Sequence, residues 1–285
     1  MPTAHATQAA ALLWRAWQAG EGLCRAEAEQ AATRCAPPAP AQSRLHLACL
    51  PSALQPADRA QAYAIQAEIE RLAGQGRTGW KIAATSTAGQ AHIGVDGPLA
   101  GRLLSHRVSG SGASVSLATN LMRVAEAEFA FRIAQPLLPR AHPYSVAEVM
   151  AAVGSAHPAI ELPDSRYHDF AHVGALPLIA DNACAYWFVL GDAIRVPWRT
   201  YDLVGHRVAL QRNGTTAQTG TGANVLGDPQ VALAWLANEL AAHGMGLQVG
   251  EVVTTGTCII PVAIVPDDRL TADFGDFGCV DVTVL

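Results

Sequence analysis

Charge is scarce in this sequence: only 15% of its 285 residues are Asp, Glu, Lys or Arg, against 50% hydrophobic. The 24 acids and 19 bases leave a net charge of -5 without a basic cluster, which excludes a polybasic nucleic-acid or membrane-surface binder. Cysteine is sparse as well. The six thiols, at 24, 35, 49, 184, 258 and 279, form no CxxC pair, so neither a zinc knuckle nor a dense disulfide framework is encoded, and buried, reduced side chains are expected. The longest apolar run, 183–190, falls far short of the roughly 18 residues of a membrane span. The N-terminus carries Arg15, Glu21 and Arg25 in an Ala-rich pattern and lacks the apolar segment of a secretion signal, so a cytoplasmic protein is expected. A chain of this length hides roughly 75% of its unfolded surface, enough for a core without cross-links.

What is there reads as helices first and strands afterwards. Residues 6–19 and 56–73 space their apolar side chains three and four apart, the helical period. Between them Ala36-Pro37-Pro38-Ala39-Pro40 is a breaker that no helix crosses. From Trp80 onward, runs at 80–84, 114–117, 123–133, 159–162, 185–190, 207–212, 251–255, 269–274 and 279–285 predict strands. Ser145 with Glu148 predicts a capping box, and Asp228-Pro229 opens a helix that closes at Gly244. Strands outnumber helices without βαβ alternation, which predicts an α+β fold: a helical N-terminal region over 1–77, then a mixed, largely antiparallel β-rich domain over 78–285.

Three motifs are better read as structural. Gly74-Gln75-Gly76-Arg77-Thr78-Gly79 matches GxGxxG, but dinucleotide binding needs a strand before the glycines and a helix after them, and the order here is reversed. His168 and His172 are four apart but lack the Glu of HExxH and read as loop histidines. Cys258 has no partnered base in the sequence and reads as an inert thiol.

The informative run is Val124-Ala125-Glu126-Ala127-Glu128-Phe129-Ala130-Phe131. Residues two apart on a strand share a face, so Glu126 and Glu128 set two carboxylates side by side in an apolar stretch. Each raises the pKa of the other unless a cation intervenes. Glu161, within Pro158-Ala159-Ile160-Glu161-Leu162-Pro163, is a third acid in a similar setting. Spacing alone allows two readings: an all-oxygen site for Mg2+ or Mn2+, or the solvated face of a sheet.

Gly79-Trp80-Lys81-Ile82, Ile93-Gly94-Val95-Asp96-Gly97-Pro98, Glu126-Ala127-Glu128 and Glu161-Leu162-Pro163-Asp164-Ser165-Arg166 occur in that order. They are followed by Ala180-Asp181-Asn182-Ala183, Leu226-Gly227-Asp228-Pro229, Thr255-Gly256-Thr257 and Ala272-Asp273-Phe274-Gly275. This series, over about residues 78–285, resembles the 2-keto-4-pentenoate hydratases and 4-oxalocrotonate decarboxylases of the fumarylacetoacetate hydrolase superfamily. The resemblance implies a fumarylacetoacetate-hydrolase-like catalytic domain with Mg2+ or Mn2+ on Glu126, Glu128 and Glu161. It also implies that Lys81 lies beside the substrate; near a divalent metal and partly buried, this lysine is expected to have its pKa lowered toward the working pH, where it can act as the catalytic proton carrier. Substrate-binding roles are implied for Asp164, Ser165 and Arg166 and for a turn at Thr255, Gly256 and Thr257, whereas Asp181 and Asn182 read as fold-stabilising.

The implied activity is that of a metal-dependent lyase hydrating a 2-hydroxypenta-2,4-dienoate-type compound to a 4-hydroxy-2-oxo acid in meta-cleavage catabolism. Leu99 departs from the pattern: hydratases usually carry an acid there, and decarboxylases often an apolar residue. The alternatives are therefore a 4-oxalocrotonate-type decarboxylase or an acylpyruvate C–C hydrolase and, from another class, a non-catalytic 2-oxo-acid-binding or scaffold subunit. The implied partners are a small 2-oxo acid, further copies of the chain in a homo-oligomer, and a neighbouring pathway enzyme.

Overall fold

Helix α1 (Ala4–Ala31) buries Ala6, Ala9, Ala10, Leu13 and Trp17, a stripe at the helical period. α2 (Arg59–Ala73) starts where the Asp58 side chain accepts from Gln61 N at 2.8 Å and stops at left-handed Gly74. Strand β1 (Arg77–Ala83) follows at once, so the GxGxxG run does join a helix to a strand in that order. The computed structural model describes residues 3–31 and 46–285, the side chains of 19–31 excepted; the proline breaker at 36–40, Cys35 and the Cys24 thiol lie outside the described residues.

Two sheets carry the rest. The larger has the order β2 (Leu99–Leu104), β1, β10 (Val252–Thr257), β5 (Val124–Ile133), β6 (Val153–Leu162), β7 (Trp187–Leu190) and β3 (Val108–Gly110), with β11 (Val262–Ala263) extending β5. The smaller runs β4 (Ala113–Val115), β13 (Cys279–Val284), β12 (Arg269–Asp273), β8 (Arg207–Arg212) and β9 (Thr215–Thr221). Only β1/β10, β3/β7 and β4/β13 pair in parallel, so both sheets are mixed and largely antiparallel, as expected. Phe129 of β5 meets Phe274 edge-to-face at 5.1 Å and Phe277 at 6.2 Å, tying the sheets together on the β5 face opposite Glu126 and Glu128. α3 (Thr87–His92), α4 (Val146–Ala151), α5 (Ala175–Ala180) and α6 (Pro229–Ala242) complete the fold, α4 with its capping box and α6 with its Asp228 cap.

Several expectations need correction. β6 begins at Val153 rather than 159, because pairing with β5 outweighs the poor strand propensity of Gly154, His157 and Pro158. β2 was not expected: all six of its residues are buried, so no polar alternation marks it. β9 was missed because it is a polar edge strand, although Asn213-Gly214, both left-handed, make the two-residue hairpin turn before it. Of the four cysteines among the described residues, Cys184 and Cys258 are buried, whereas Cys49 and Cys279 are exposed. Among the described residues no helix is long and apolar enough to cross a membrane.

The helical region shares the main hydrophobic core with the sheets. Trp17 is its anchor: the Arg166 guanidinium lies over the indole at 4.2 Å and Tyr186 stands 5.8 Å away. Trp17→Ala is therefore expected to cost about 3–5 kcal/mol in reversible denaturation of the whole chain. An unchanged unfolding midpoint would mean that α1 is a detachable module.

Candidate active site

The β5–β6 register sets Glu126 directly opposite Glu161, and Glu128 lies one pleat further along the same face. One carboxylate oxygen from each of the three falls within 4.8 Å of the others. Glu128 and Glu161 are fully buried and Glu126 is half-buried, which decides against a solvated sheet face. Like charges so placed are unfavourable unless something positive joins them. Glu128 Oε2 accepts from Thr254 Oγ1 at 2.5 Å and Gly256 N at 2.8 Å. Glu128 Oε1 and Glu161 Oε2 are buried without a hydrogen-bond partner among the described residues. Three converging carboxylates, with orphaned oxygens on Glu128 and Glu161, fit a Mg2+- or Mn2+-type cation.

Lys81 supplies the site's own positive charge. It is the only lysine in the 285 residues, a signal that composition alone could have raised. On β1 it is buried, with Nζ 3.0 Å from Glu161 Oε1 and donating to Ala183 O at 3.0 Å. Its pKa is expected to fall beside a bound divalent cation; with the acids alone the direction is upward. Burial pulls the ammonium down, but the charges of Glu161 and Glu126 outweigh it and hold the pKa above the ordinary lysine value. Without a cation on the acids, Lys81 is a bound ammonium.

Burial, with Glu161 close by, pushes the Glu126 carboxyl up to about 7 against the opposing pull of Lys81, and burial also raises Glu128 and Glu161. Cation binding needs ionised carboxylates. Mg2+ or Mn2+ affinity is accordingly expected to climb as pH rises through about 7, with proton release that calorimetry in buffers of different ionisation heat would measure. The raised carboxyl pKa also fixes the sign for stability without metal. The folded chain keeps a proton that the unfolded chain loses near 4.5, so this contribution is full below that pH and is lost as pH rises through about 7. An affinity flat between about pH 5.5 and 8 would contradict both statements.

The remaining site residues are engaged within the fold. Ser165 Oγ donates to Asp181 Oδ2 at 2.6 Å, and Arg166 grips the same carboxylate through its backbone N at 2.9 Å and its guanidinium. Asp164 Oδ1 accepts from Leu121 N at 2.8 Å, and burial raises its pKa to about 7. Thr255, Gly256 and Thr257 are not a free turn. They end β10 at an irregularity in its pairing with β5, where Gly256 has φ +104 and a Cβ would come within 2.1 Å of Thr85 Oγ1. Thr255 Oγ1 donates to Phe129 O and Thr257 Oγ1 to Ile259 O. His168 lies in an exposed turn and His172 at the exposed end of the 3-10 turn Phe170–His172, paired with Asp169, and the thiol pKa of Cys258 is raised by burial. Thr254 and Ala183, which touch Glu128 and Lys81, were missed by sequence reasoning: one acts through a strand neighbour and the other through its carbonyl.

Comparison with known proteins shows the family. Residues 103–285 match the family profile described as fumarylacetoacetate (FAA) hydrolase C-terminal. A 2-keto-4-pentenoate hydratase of Burkholderia vietnamiensis is 34% identical over 229 residues, 79% of this chain and 86% of that one. A 4-oxalocrotonate decarboxylase of Pseudomonas putida is 33% identical over 225 residues, 78% of this chain and 83% of the relative. The solved structure of 4-oxalocrotonate decarboxylase from Pseudomonas putida G7, complexed with magnesium and adipate, is similar with a TM-score of 0.72 and 30% identity, covering 80% of this chain and 86% of that one.

Proposed function

The chain belongs to the fumarylacetoacetate hydrolase family, and on that premise we propose that it is a divalent-metal-dependent lyase hydrating a 2-hydroxypenta-2,4-dienoate-type compound to a 4-hydroxy-2-oxo acid. The observation that carries this reading is the triad of half-buried Glu126 and buried Glu128 and Glu161, with the chain's single lysine 3.0 Å from one of its oxygens. A divalent cation held by Glu126, Glu128 and Glu161 would supply Lewis acidity toward a 2-oxo acid. In the first half of the reaction the 2-hydroxyl loses a proton and C5 gains one. The Lys81 ammonium gives C5 its proton, and the amine so formed takes the proton lost by the 2-hydroxyl, with Glu161 3.0 Å away stabilising the restored ammonium. In the second half the oxygen of water bonds to C4 and C3 takes a proton, so that one water is added overall.

Asp164, Ser165, Arg166, Thr255, Gly256 and Thr257 already hold partners inside the protein, so we assign them to shaping the substrate site, with Gly256 holding Glu128 in place. We also propose a homo-oligomer, consistent with exposed Ile260 and Val265 beside β11; a monomeric mass by light scattering would contradict it.

Decarboxylation of a 4-oxalocrotonate-type acid is the second reading, favoured by Leu99. This residue is buried at the start of β2 and offers no acid for handling water. A turnover panel with Mg2+ and Mn2+ over 2-hydroxypentadienoate, its hexadienoate homologue, 4-oxalocrotonate and acylpyruvates tests both. Hydration of the first is expected. CO2 release from 4-oxalocrotonate alone selects the second reading, and silence across the panel contradicts enzyme function on this substrate class.

A further inference from the structure

The carbonyl that receives Lys81 belongs to an unusual turn. Asn182, Ala183 and Cys184 have φ of +60, +49 and +61, three consecutive residues in the left-handed region, where Ala and Cys are disfavoured. Such backbone persists only where its surroundings over-determine it. Here they do. The Asn182 amide accepts from Arg102 N and donates to Arg102 O, both at 2.7 Å, occupying the free edge of β2 as a neighbouring strand would. Asp181, just before the turn, is gripped by Ser165 and Arg166. Gly101 is the cross-strand partner of Lys81, and a Cβ on it would lie 2.1 Å from Asn182 O. The missing side chain opposite Lys81 is what lets the turn descend onto that face of the sheet and bring Ala183 O to Nζ.

We propose that Asn182 is a positioning residue for Lys81: by clamping the left-handed turn to the β2 edge over Gly101, it fixes the carbonyl that aims the ammonium into the carboxylate triad. This rests on the reading of Lys81 as the proton carrier. A lysine on a flexible four-carbon stem loses directional proton transfer when an anchor is removed, and misplacement by about 1 Å can cost about 100-fold in rate.

Because Lys81 is the only lysine, protein labelled with 15N-lysine gives a single side-chain ammonium signal. In wild type that signal is expected to be visible and slow to exchange with solvent; its absence would overturn the clamp before any variant is made. Asn182→Gly keeps the left-handed backbone comfortable and deletes the amide. It is expected to speed exchange of the Lys81 signal and to lower kcat by about 10–100-fold, with KM and calorimetric Mg2+ affinity unchanged. Should that variant not fold, Ala183→Gly, which loosens the same turn without removing a side-chain hydrogen bond, is expected to speed the exchange. A folded variant with the wild-type Lys81 signal, or with wild-type kcat, overturns the proposal. Failure of the underlying reading looks different: Lys81→Met would then keep its turnover, and that result removes the positioning role whatever the signal does.

Discussion

Lys81→Met is expected to lower kcat by about 10²–10⁴-fold, the usual worth of a placed acid or base, while Mg2+ affinity holds or rises slightly. The rise follows because the ammonium 3.0 Å from Glu161 competes with a cation for the same carboxylates. The competing account makes Lys81 a counter-ion that only neutralises buried acids. That account predicts a lower melting temperature without metal, little change with metal, and full turnover once the triad is loaded. Lys81 lies between Glu161 and Ala183 O, and no other lysine exists to take its place, so rescue by a neighbouring amine does not complicate the result. Full activity of the loaded variant would reject Lys81 as the proton carrier.

Glu128→Ala is expected to weaken Mg2+ or Mn2+ binding by more than about 100-fold, since losing even a residue that merely supports a metal ligand typically costs about 10–100-fold. It carries a second penalty. Thr254 Oγ1 and Gly256 N both donate to this carboxylate, and each buried donor left unsatisfied costs about 1–3 kcal/mol. Glu128→Gln separates the two effects, because its amide oxygen can still accept from Thr254 and Gly256 while the charge is gone. The glutamine variant should therefore keep most of its melting temperature and still lose metal. Calorimetric affinity equal to wild type in both variants would remove Glu128 from the cation site.

Much of this site is legible in the sequence. Alternation along 124–131 put Glu126 and Glu128 on one face, and the helix caps at Asp228 and Ser145 were readable because they are local. The pairing of Glu126 with Glu161 was not, since a register between distant strands is set by the whole sheet. Periodicity likewise missed β2, which is buried on both faces, and the left-handed turn at 182–184, where Ala and Cys give no hint of positive φ. The upward direction of the Lys81 pKa without a cation is not legible in the sequence for a related reason. Burial alone lowers it, and only the convergence of the carboxylates reverses the sign. The extent of the catalytic domain remains our proposal: the helices of 1–77 share its core, and the family match begins at residue 103.

On the proposed reading, Glu126, Glu128, Glu161 and Lys81 together move protons on a 2-oxo acid with the help of a divalent cation. Proton NMR of 2-oxopentanoate in D2O tests it most directly, by following loss of the C3 proton signal with wild type, Lys81→Met and Glu128→Gln, each with and without Mg2+. Exchange above the spontaneous rate is predicted for wild type with Mg2+ alone, and for neither variant. Exchange that persists without metal or without Lys81, or its absence from metal-loaded wild type, would contradict the account.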